Sequence, residues 1–298
     1  MKNFLNHILT YKKELPYLLR QLLFFFHPKK RAIKYDGVDL GLAKLLEDGC
    51  LLIPEKSLST KVANYLRDYI LSGPKVSKLG KNGVLLRDTY EQSHLMKNDT
   101  ILMLATDHDI LKLVANYFGS QPKVAFIASW TTYANDPNDI GEMFFHMDHH
   151  GHKFLKLFYY LTDVEEGGGH HEYVTKTTDH ILNTGRLDIW RTKMPDLACE
   201  YETKRRLKGS YRIDEELIIK QLEGDILKIF GKSGTCFIED TYGLHRGTPI
   251  KDGSSRTILQ ILYVPIVHDK DSKNTVSEEL ADRQLVKDNI ELFDEMMK

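Results

Sequence analysis

The hydrophobic period of the sequence changes near residue 120, and this change constrains the fold more than any other feature. Before it, apolar residues recur at helical spacing. After it, they form short β-branched and aromatic runs that are bounded by Gly, Asn, Asp and Pro. These runs predict strands, paired in antiparallel fashion, at residues 123–133, 153–164, 224–231, 235–245 and 256–266.

Helical segments precede, interrupt and follow these strands. Residues 57–72 begin with serine cap candidates, and residues 107–118 begin at Asp107 and stop at Gly119. Residues 213–223 and 276–298 are amphipathic and predict an inserted helix and a final helix. This order predicts a mainly β, or α+β, domain in which helices buttress a sandwich or jelly roll. We divide the chain into an N-terminal helical extension, 1–44, and one domain, 45–298.

Composition excludes several classes of protein. The 298 residues include 41 Lys and Arg and 42 Asp and Glu. The chain therefore has no net positive charge that would favour a nucleic-acid partner. Cys50, Cys199 and Cys236 are widely spaced and form no C-x-x-C, which argues against a disulfide framework or a thiolate zinc site. We therefore expect a reducing, cytoplasmic setting.

The N-terminal segment is amphipathic and ends in a basic cluster, residues 29–31. Its longest uninterrupted apolar run, residues 22–26, is too short to span a bilayer, and it lacks a signal-peptide cleavage site. We expect a helix that docks on the domain. The alternative is a helix at the membrane surface, with the basic cluster near lipid headgroups and the protein peripheral to the membrane. The sequence leaves the oligomeric state open.

Four histidines and an aspartate lie within seven positions, "HMDHHGH", residues 146–152. Because side chains alternate along a strand, His146 and Asp148 point to one face and His149 to the other. One imidazole and one carboxylate suit Fe(II), and a third histidine from another strand completes a facial triad with three open positions. His245, at the end of the predicted strand 235–245, is the best-placed third ligand.

An arginine follows on the next predicted strand. Arg256 offers a planar fork to the distal carboxylate of a co-substrate that chelates the metal. Each signal is weak alone, and it is the conjunction of H-x-D, a distant H-x-G and this arginine that predicts a site.

Residues 45–268 resemble the phytanoyl-CoA dioxygenase family of Fe(II)- and 2-oxoglutarate-dependent oxygenases. "HMDHH" matches the H-x-D of this family, and "GLHRGTPIKDGSSRTILQILY" is similar to its distal histidine and co-substrate arginine. "FLKLFYYLTDVEEGGGHHEYVTKTTDH" looks like its strand, acidic-Gly turn and Gly-Pro…Pro-Gly-Ser-His segment. The sequence departs there, because Gly169-His170 stands for Gly-Pro and residues 175–180 for Pro-Gly-Ser-His.

The resemblance implies a double-stranded β-helix of the jelly-roll or cupin type that holds iron through His146, Asp148 and His245. It also implies 2-oxoglutarate on the metal with its far carboxylate on Arg256, dioxygen as oxidant and ascorbate as a supporting reductant. The implied reaction hydroxylates an aliphatic C–H of a small or lipid-like molecule and releases succinate and CO2. Because position 148 keeps its carboxylate, hydroxylation is favoured over halogenation.

The alternation of side chains along a strand also identifies further candidate residues around the predicted site. Lys156, Phe158 and Tyr160 share one face of the strand 153–164, where a cation and a phenol suit an anionic co-substrate. An outward, solvated Lys156 is the alternative. Met147 is a further pocket-wall candidate near the co-substrate. The candidates for substrate contact are Trp130, Tyr133, His149 and His170.

Two other functions compete with the oxygenase. The clustered histidines could gather zinc for a hydrolase, although they lack the helical i, i+4 spacing with a general-base glutamate. The domain could also be a non-catalytic jelly-roll binding module. The G-K-S at residues 231–233 is not a phosphate loop, because position 226 is Ile, and it predicts a hairpin turn instead.

Overall fold

The structure is a computed structural model, and it describes residues 35, 37–80, 83–134, 143–148, 153–178, 194, 196, 212–213, 215–265 and 283–293. Most of the predicted N-terminal extension lies outside these residues, as does its basic cluster. The division between residues 44 and 45 and the membrane-surface alternative therefore stay predictions. Among the described helices, none combines the length and the apolar character needed to cross a membrane.

The described helices are short, and most of them come before the main strands. They are α1 Leu42–Asp48, α2 Thr60–Leu71, α3 Gln92–Leu95, α4 Asp99–Ala105, α5 His108–Phe118, α6 Glu215–Leu222, α7 Gln284–Asp288 and α8 Ile290–Phe293. The strands are β1 Cys50–Leu52, β2 Lys75–Leu79, β3 Leu85–Tyr90, β4 Pro122–Tyr133, β5 Leu155–Tyr160, β6 His171–Val174, β7 Ile226–Ile229, β8 Cys236–Glu239, β9 His245–Gly247 and β10 Ser255–Pro265. Two 3-10 turns, Pro54–Lys56 and Glu223–Asp225, complete the described elements.

The predicted helix caps are found where the sequence places them. Ser59 accepts from the Val62 N–H at the start of α2, and Asp107 accepts from the Asp109 and Ile110 N–H groups at the start of α5. Gly119 ends α5 in the left-handed conformation that glycine adopts without strain. These two helices pack on one face of the main sheet.

Ten antiparallel strands form two sheets. The major sheet has the order β1-β8-β5-β10-β4-β3-β2, and the minor sheet has the order β7-β6-β9. One face of the major sheet buries Leu155, Leu157 and Tyr159 of β5 against the helices. The other face carries Phe158 and Tyr160, which pack with Tyr173 and Ile229 of the minor sheet. The two sheets therefore face each other as in a jelly roll, which confirms the predicted fold class.

The predicted strand 235–245 is wrong in its extent. It divides into β8 in the major sheet and β9 in the minor sheet. The break begins at Asp240, whose side chain accepts from the Tyr242 N–H and whose carbonyl accepts from the Gly243 N–H. This tight turn moves the chain from one sheet to the other.

The hairpin predicted at Gly231–Ser233 is also wrong. The strands that flank it, β7 and β8, belong to different sheets and do not pair with each other. Periodicity predicted both strands but carried no information on their partners. The paired strands β2 and β3, which sequence reasoning did not predict, extend the major sheet at its opposite edge.

Candidate metal centre

Strand pairing brings the two predicted histidine ligands together. His146 and His245 are direct antiparallel partners, and each backbone N–H donates to the carbonyl of the other over 3.0 Å. Directly opposed residues share a face, so both rings enter the space between the sheets. Their centroids are 4.3 Å apart.

Both histidines are oriented in the same way by the backbone. Nδ1 of His146 lies 2.9 Å from the Phe144 carbonyl oxygen, and Nδ1 of His245 lies 2.9 Å from the Gly243 carbonyl oxygen. A carbonyl only accepts, so each Nδ1 carries the proton and each Nε2 keeps a lone pair. Metal-ligating histidines are commonly fixed in this way. The two Nε2 atoms therefore suit a metal.

Asp148 supplies the third donor. Its Oδ1 lies 3.8 Å from Nε2 of His146, and its Oδ2 lies 3.4 Å from Nε2 of His245. One ligand atom from each of the three residues lies within 4.8 Å of the others. The backbone N–H of Asp148 donates to the Thr241 carbonyl over 2.8 Å, which ties the aspartate to the turn before β9. Two imidazoles and one carboxylate at these separations fit the facial arrangement of non-haem Fe(II).

The electrostatics of the centre favour a neutral His146 and an ionised Asp148. Burial and the neighbouring His245 hold the pKa of His146 well below its usual range. Burial alone would raise the pKa of Asp148, but Lys156 and His245 keep it well below its usual range. For His245, burial opposes the charge, and the nearby Asp148 nevertheless raises the pKa. A divalent ion would bind the carboxylate and both lone pairs in competition with protons.

A cavity of about 200 Å³ opens beside the three donor residues. Its apolar walls are Trp130, Met143, Phe158 and Ile258, and its polar lining includes Lys156, His171, Thr248 and Gln260. Arg87, Thr132 and Arg256 also line it. Polar and charged side chains thus converge between apolar walls, an arrangement that can orient a polar small molecule.

Arg256 is a buried cation in this cavity. Only 6% of the residue is exposed, one Nη donates to the Gly169 carbonyl, and Nε has no hydrogen-bond partner among the described residues. A Cβ at Gly247 would lie 3.0 Å from its other Nη, so glycine leaves room for the guanidinium. Since a buried charge is costly without a partner, these donors suit an anionic ligand.

Arg256 belongs to a polar row that crosses three strands. It opposes Thr132 on β4, which in turn opposes Arg87 on β3. The Thr132 hydroxyl is fully buried and has no hydrogen-bond partner in the described part of the chain. Sequence reasoning missed Arg87 and Thr132, because only the register of β3, β4 and β10 reveals that they share a row.

The other predicted site residues divide into two groups. Lys156 and Trp130 line the cavity. Tyr160, by contrast, does not line it, because its hydroxyl donates to the Ile229 carbonyl and accepts from the His171 N–H. Met147 packs in the apolar cluster behind the minor sheet. Neither Tyr160, which was predicted near the co-substrate, nor Met147, which was predicted as a pocket-wall residue, is in the lining of this cavity.

Of the four substrate candidates, Trp130 lines the cavity, and the other three do not line it or lie outside the described residues. Tyr133 donates to Oδ2 of Asp88 over 2.9 Å, and it does not line the cavity. His170 lies 3.1 Å from Oε1 of Glu172 and its ring centroid is 4.3 Å from that of Phe230. His149 is outside the described residues.

His171, the neighbour of His170, does line the cavity, and from the sequence it could contact substrate or simply lie on a turn. Nε2 of His171 lies 2.9 Å from Oε1 of the fully buried Glu239, and its ring is nearly parallel to that of His245, with centroids 5.7 Å apart. Strand alternation separates His170 from His171 once β6 is recognised. The short, polar β6 gave no strand signal.

A partly buried ion network braces the two candidate histidine ligands from behind. Arg246, which follows His245, lies 2.7 Å from Glu172 and 2.7 Å from Glu215 of α6. Its guanidinium also lies 4.5 Å from the ring centroid of Phe145, the residue before His146. The network thus joins both ligand-bearing segments to β6 and α6.

We expect Glu172→Gln to lower the free energy of unfolding by about 3 kcal/mol at neutral pH, because it breaks a buried ion pair. Burial opposes ionisation of Glu172, but His170 and Arg246 lower its pKa from 4.5 to about 2. A depressed pKa contributes stability above 4.5 that is lost as the pH falls toward 2. The difference between variant and wild type in urea unfolding should therefore shrink over that window. A constant difference, or an equal effect of Glu166→Gln in an exposed turn, would contradict this role.

Comparison with known proteins gives a fold and no family. No protein-family model and no curated protein matches the chain. Among solved structures, the epimerase SnoN in complex with Fe³⁺, α-ketoglutarate and nogalamycin RO is 17% identical, with a TM-score of 0.52, over 76% of this chain and 82% of that one. HygX from Streptomyces hygroscopicus, with nickel and 2-oxoglutarate bound, is 14% identical, with a TM-score of 0.48, over 75% of this chain and 85% of that one. The chain is thus similar in fold to SnoN, a non-haem α-ketoglutarate-dependent epimerase.

Proposed function

We propose that this chain is a non-haem Fe(II)- and 2-oxoglutarate-dependent oxygenase. The observation that supports this most strongly is the combination of His146, Asp148 and His245 with a cavity lined by the buried Arg256. The first three residues supply the donors of a facial triad, and the arginine supplies an anion site. The bound iron and 2-oxoglutarate of SnoN, on a similar fold, add support.

In this proposal the side chains hold and orient the reactants. His146, Asp148 and His245 would bind Fe(II), which supplies the oxygen chemistry that amino-acid side chains lack. Arg256 would bind the far carboxylate of 2-oxoglutarate through its planar fork. Trp130 and Phe158 give the cavity apolar walls that exclude water from the reacting centre.

The reaction we favour is hydroxylation of an aliphatic C–H, with release of succinate and CO2. Asp148 occupies the third ligand position with a carboxylate, so no position is vacated for a halide. The cavity of about 200 Å³ suits a small metabolite or one end of an amphiphilic molecule. The H-x-D, distal H-x-G and arginine pattern supports placement in the phytanoyl-CoA dioxygenase family.

Turnover of the co-substrate tests this function without knowledge of the primary substrate. The purified protein, supplied with Fe(II), 2-oxoglutarate and dioxygen, should release succinate slowly. With zinc in place of iron it should release no succinate, because zinc has no redox chemistry. Succinate is measured by chromatography. Ester or amide hydrolysis with zinc, without succinate, would favour the hydrolase. Binding of 2-oxoglutarate without any turnover would favour the non-catalytic module.

A further inference from the structure

Lys156 is a buried lysine in the centre of a strand. Only 7% of the residue is exposed, and its position on β5 points it into the cavity between the sheets. Lysine is seldom buried without a charge partner. The burial of Lys156 therefore indicates a specific interaction inside the protein.

The register places Lys156 far from the anion site at Arg256. Lys156 opposes Leu262 on β10, and Leu262 lies six residues beyond Arg256 on the same strand. Six residues of extended strand span about 20 Å. The backbones of the two cations thus lie toward opposite ends of the sheet face, and their side chains line the same cavity.

The contact that Lys156 makes is with a candidate metal ligand. Its Nζ lies 2.5 Å from Oδ2 of Asp148, the oxygen that is 3.4 Å from Nε2 of His245. A charge-assisted hydrogen bond of this kind is strong and directional. It leaves Oδ1 of Asp148, 3.8 Å from Nε2 of His146, outside the lysine contact.

We propose that Lys156 is a positioning residue that holds one oxygen of Asp148, so that this carboxylate binds the metal through a single oxygen. The inference rests on the proposed metal centre and adds to it. A carboxylate that used both oxygens would occupy one more position on the metal. Lys156 thereby keeps a coordination position open for the co-substrate, at the cost of weaker metal binding.

A second carboxylate lies opposite Lys156 in the major sheet. Glu239 opposes Lys156 directly on β8, and opposed residues have Cβ atoms about 5 Å apart on the same face. Glu239 is fully buried and its Oε1 lies near His171. Lys156 therefore contacts one acidic residue, Asp148, and stands opposite a second, Glu239, in the sheet.

The metal alone tests the proposal. Co(II), a spectroscopic substitute for Fe(II), should bind Lys156→Met roughly tenfold more tightly than wild type, because a competing cation next to the carboxylate is removed. The visible absorption of bound Co(II) should weaken, as it does when coordination number rises, and 2-oxoglutarate should bind the Co(II)-loaded variant less tightly. Lys156→Arg should stay close to wild type. Lys228→Met, at an exposed position on β7, is the matched control.

The outcomes are separable from those of the proposed function. Co(II) affinity and absorption unchanged in Lys156→Met, with only 2-oxoglutarate binding weakened, would overturn the proposal and make Lys156 a direct co-substrate anchor. Lys156→Gln, compared by circular dichroism, serves if the methionine variant does not fold, and it should also bind Co(II) more tightly. Absence of Co(II) binding in the wild type would refute the metal centre itself.

Discussion

Replacement of His245 by alanine should abolish iron-dependent turnover of 2-oxoglutarate, with a loss of more than about 100-fold in succinate release. Changes in groups that merely support metal ligands already cost about 10- to 100-fold. His245 contributes a donor that the backbone has pre-oriented, through the 2.9 Å contact between Nδ1 and the Gly243 carbonyl. Alanine removes that donor, and two remaining ligands do not make a facial triad.

The same experiment separates metal binding from folding. Co(II) titration of His245→Ala should show weakened binding, while the thermal midpoint indicates whether the jelly roll is intact. His146→Ala and Asp148→Ala should behave alike. His108→Ala, at an exposed position at the start of α5, is the control and should retain turnover. Full succinate release by His245→Ala would show that His245 is not a ligand.

The local part of this site could be predicted from the sequence. The i, i+2 spacing of His146 and Asp148 requires only that side chains alternate, and the structure has both residues lining the same cavity. The same reasoning separated Lys156 from its two leucine neighbours on β5. Caps at Ser59 and Asp107 follow from short-range hydrogen bonding.

The rest depends on strand pairing, which periodicity does not encode. His245 was predicted at the end of one long strand, but it begins β9 in the opposite sheet, where it pairs with His146. The prediction of His245 as a site residue agrees with the structure, but the strand assigned to it was wrong. Arg87 became a site residue only because β3 pairs with β4 in a particular register.

Side-chain partners explain the predicted contacts that the structure does not have. Tyr160 shares the inward face with Lys156, as alternation requires, but its hydroxyl is already used by the Ile229 carbonyl and the His171 N–H. Those groups come from β7 and β6, which are 69 and 11 residues away in the sequence. A buried hydroxyl needs a partner, and the sequence does not say which one it finds.

Replacement of Arg256 by alanine should raise the 2-oxoglutarate concentration needed for half-maximal turnover by about 100-fold, which corresponds to roughly 3 kcal/mol for the loss of one partner of a buried charge pair. Metal affinity should change little, because the arginine holds the Gly169 carbonyl and no candidate ligand. Arg256→Lys keeps the charge but loses the planar fork, and should be intermediate.

The control and the readouts decide whether Arg256 acts on the co-substrate. Arg67→Ala, which breaks a surface pair with Asp68 on α2, should leave the 2-oxoglutarate requirement unchanged. If Arg256→Ala lost Co(II) binding as well, the arginine would act through the fold, because its buried guanidinium also braces the turn at Gly169. If it altered only the affinity of a primary substrate, Arg256 would line the substrate end of the cavity, and the anion site for 2-oxoglutarate would have to lie elsewhere along the row that Arg256 shares with Thr132 and Arg87.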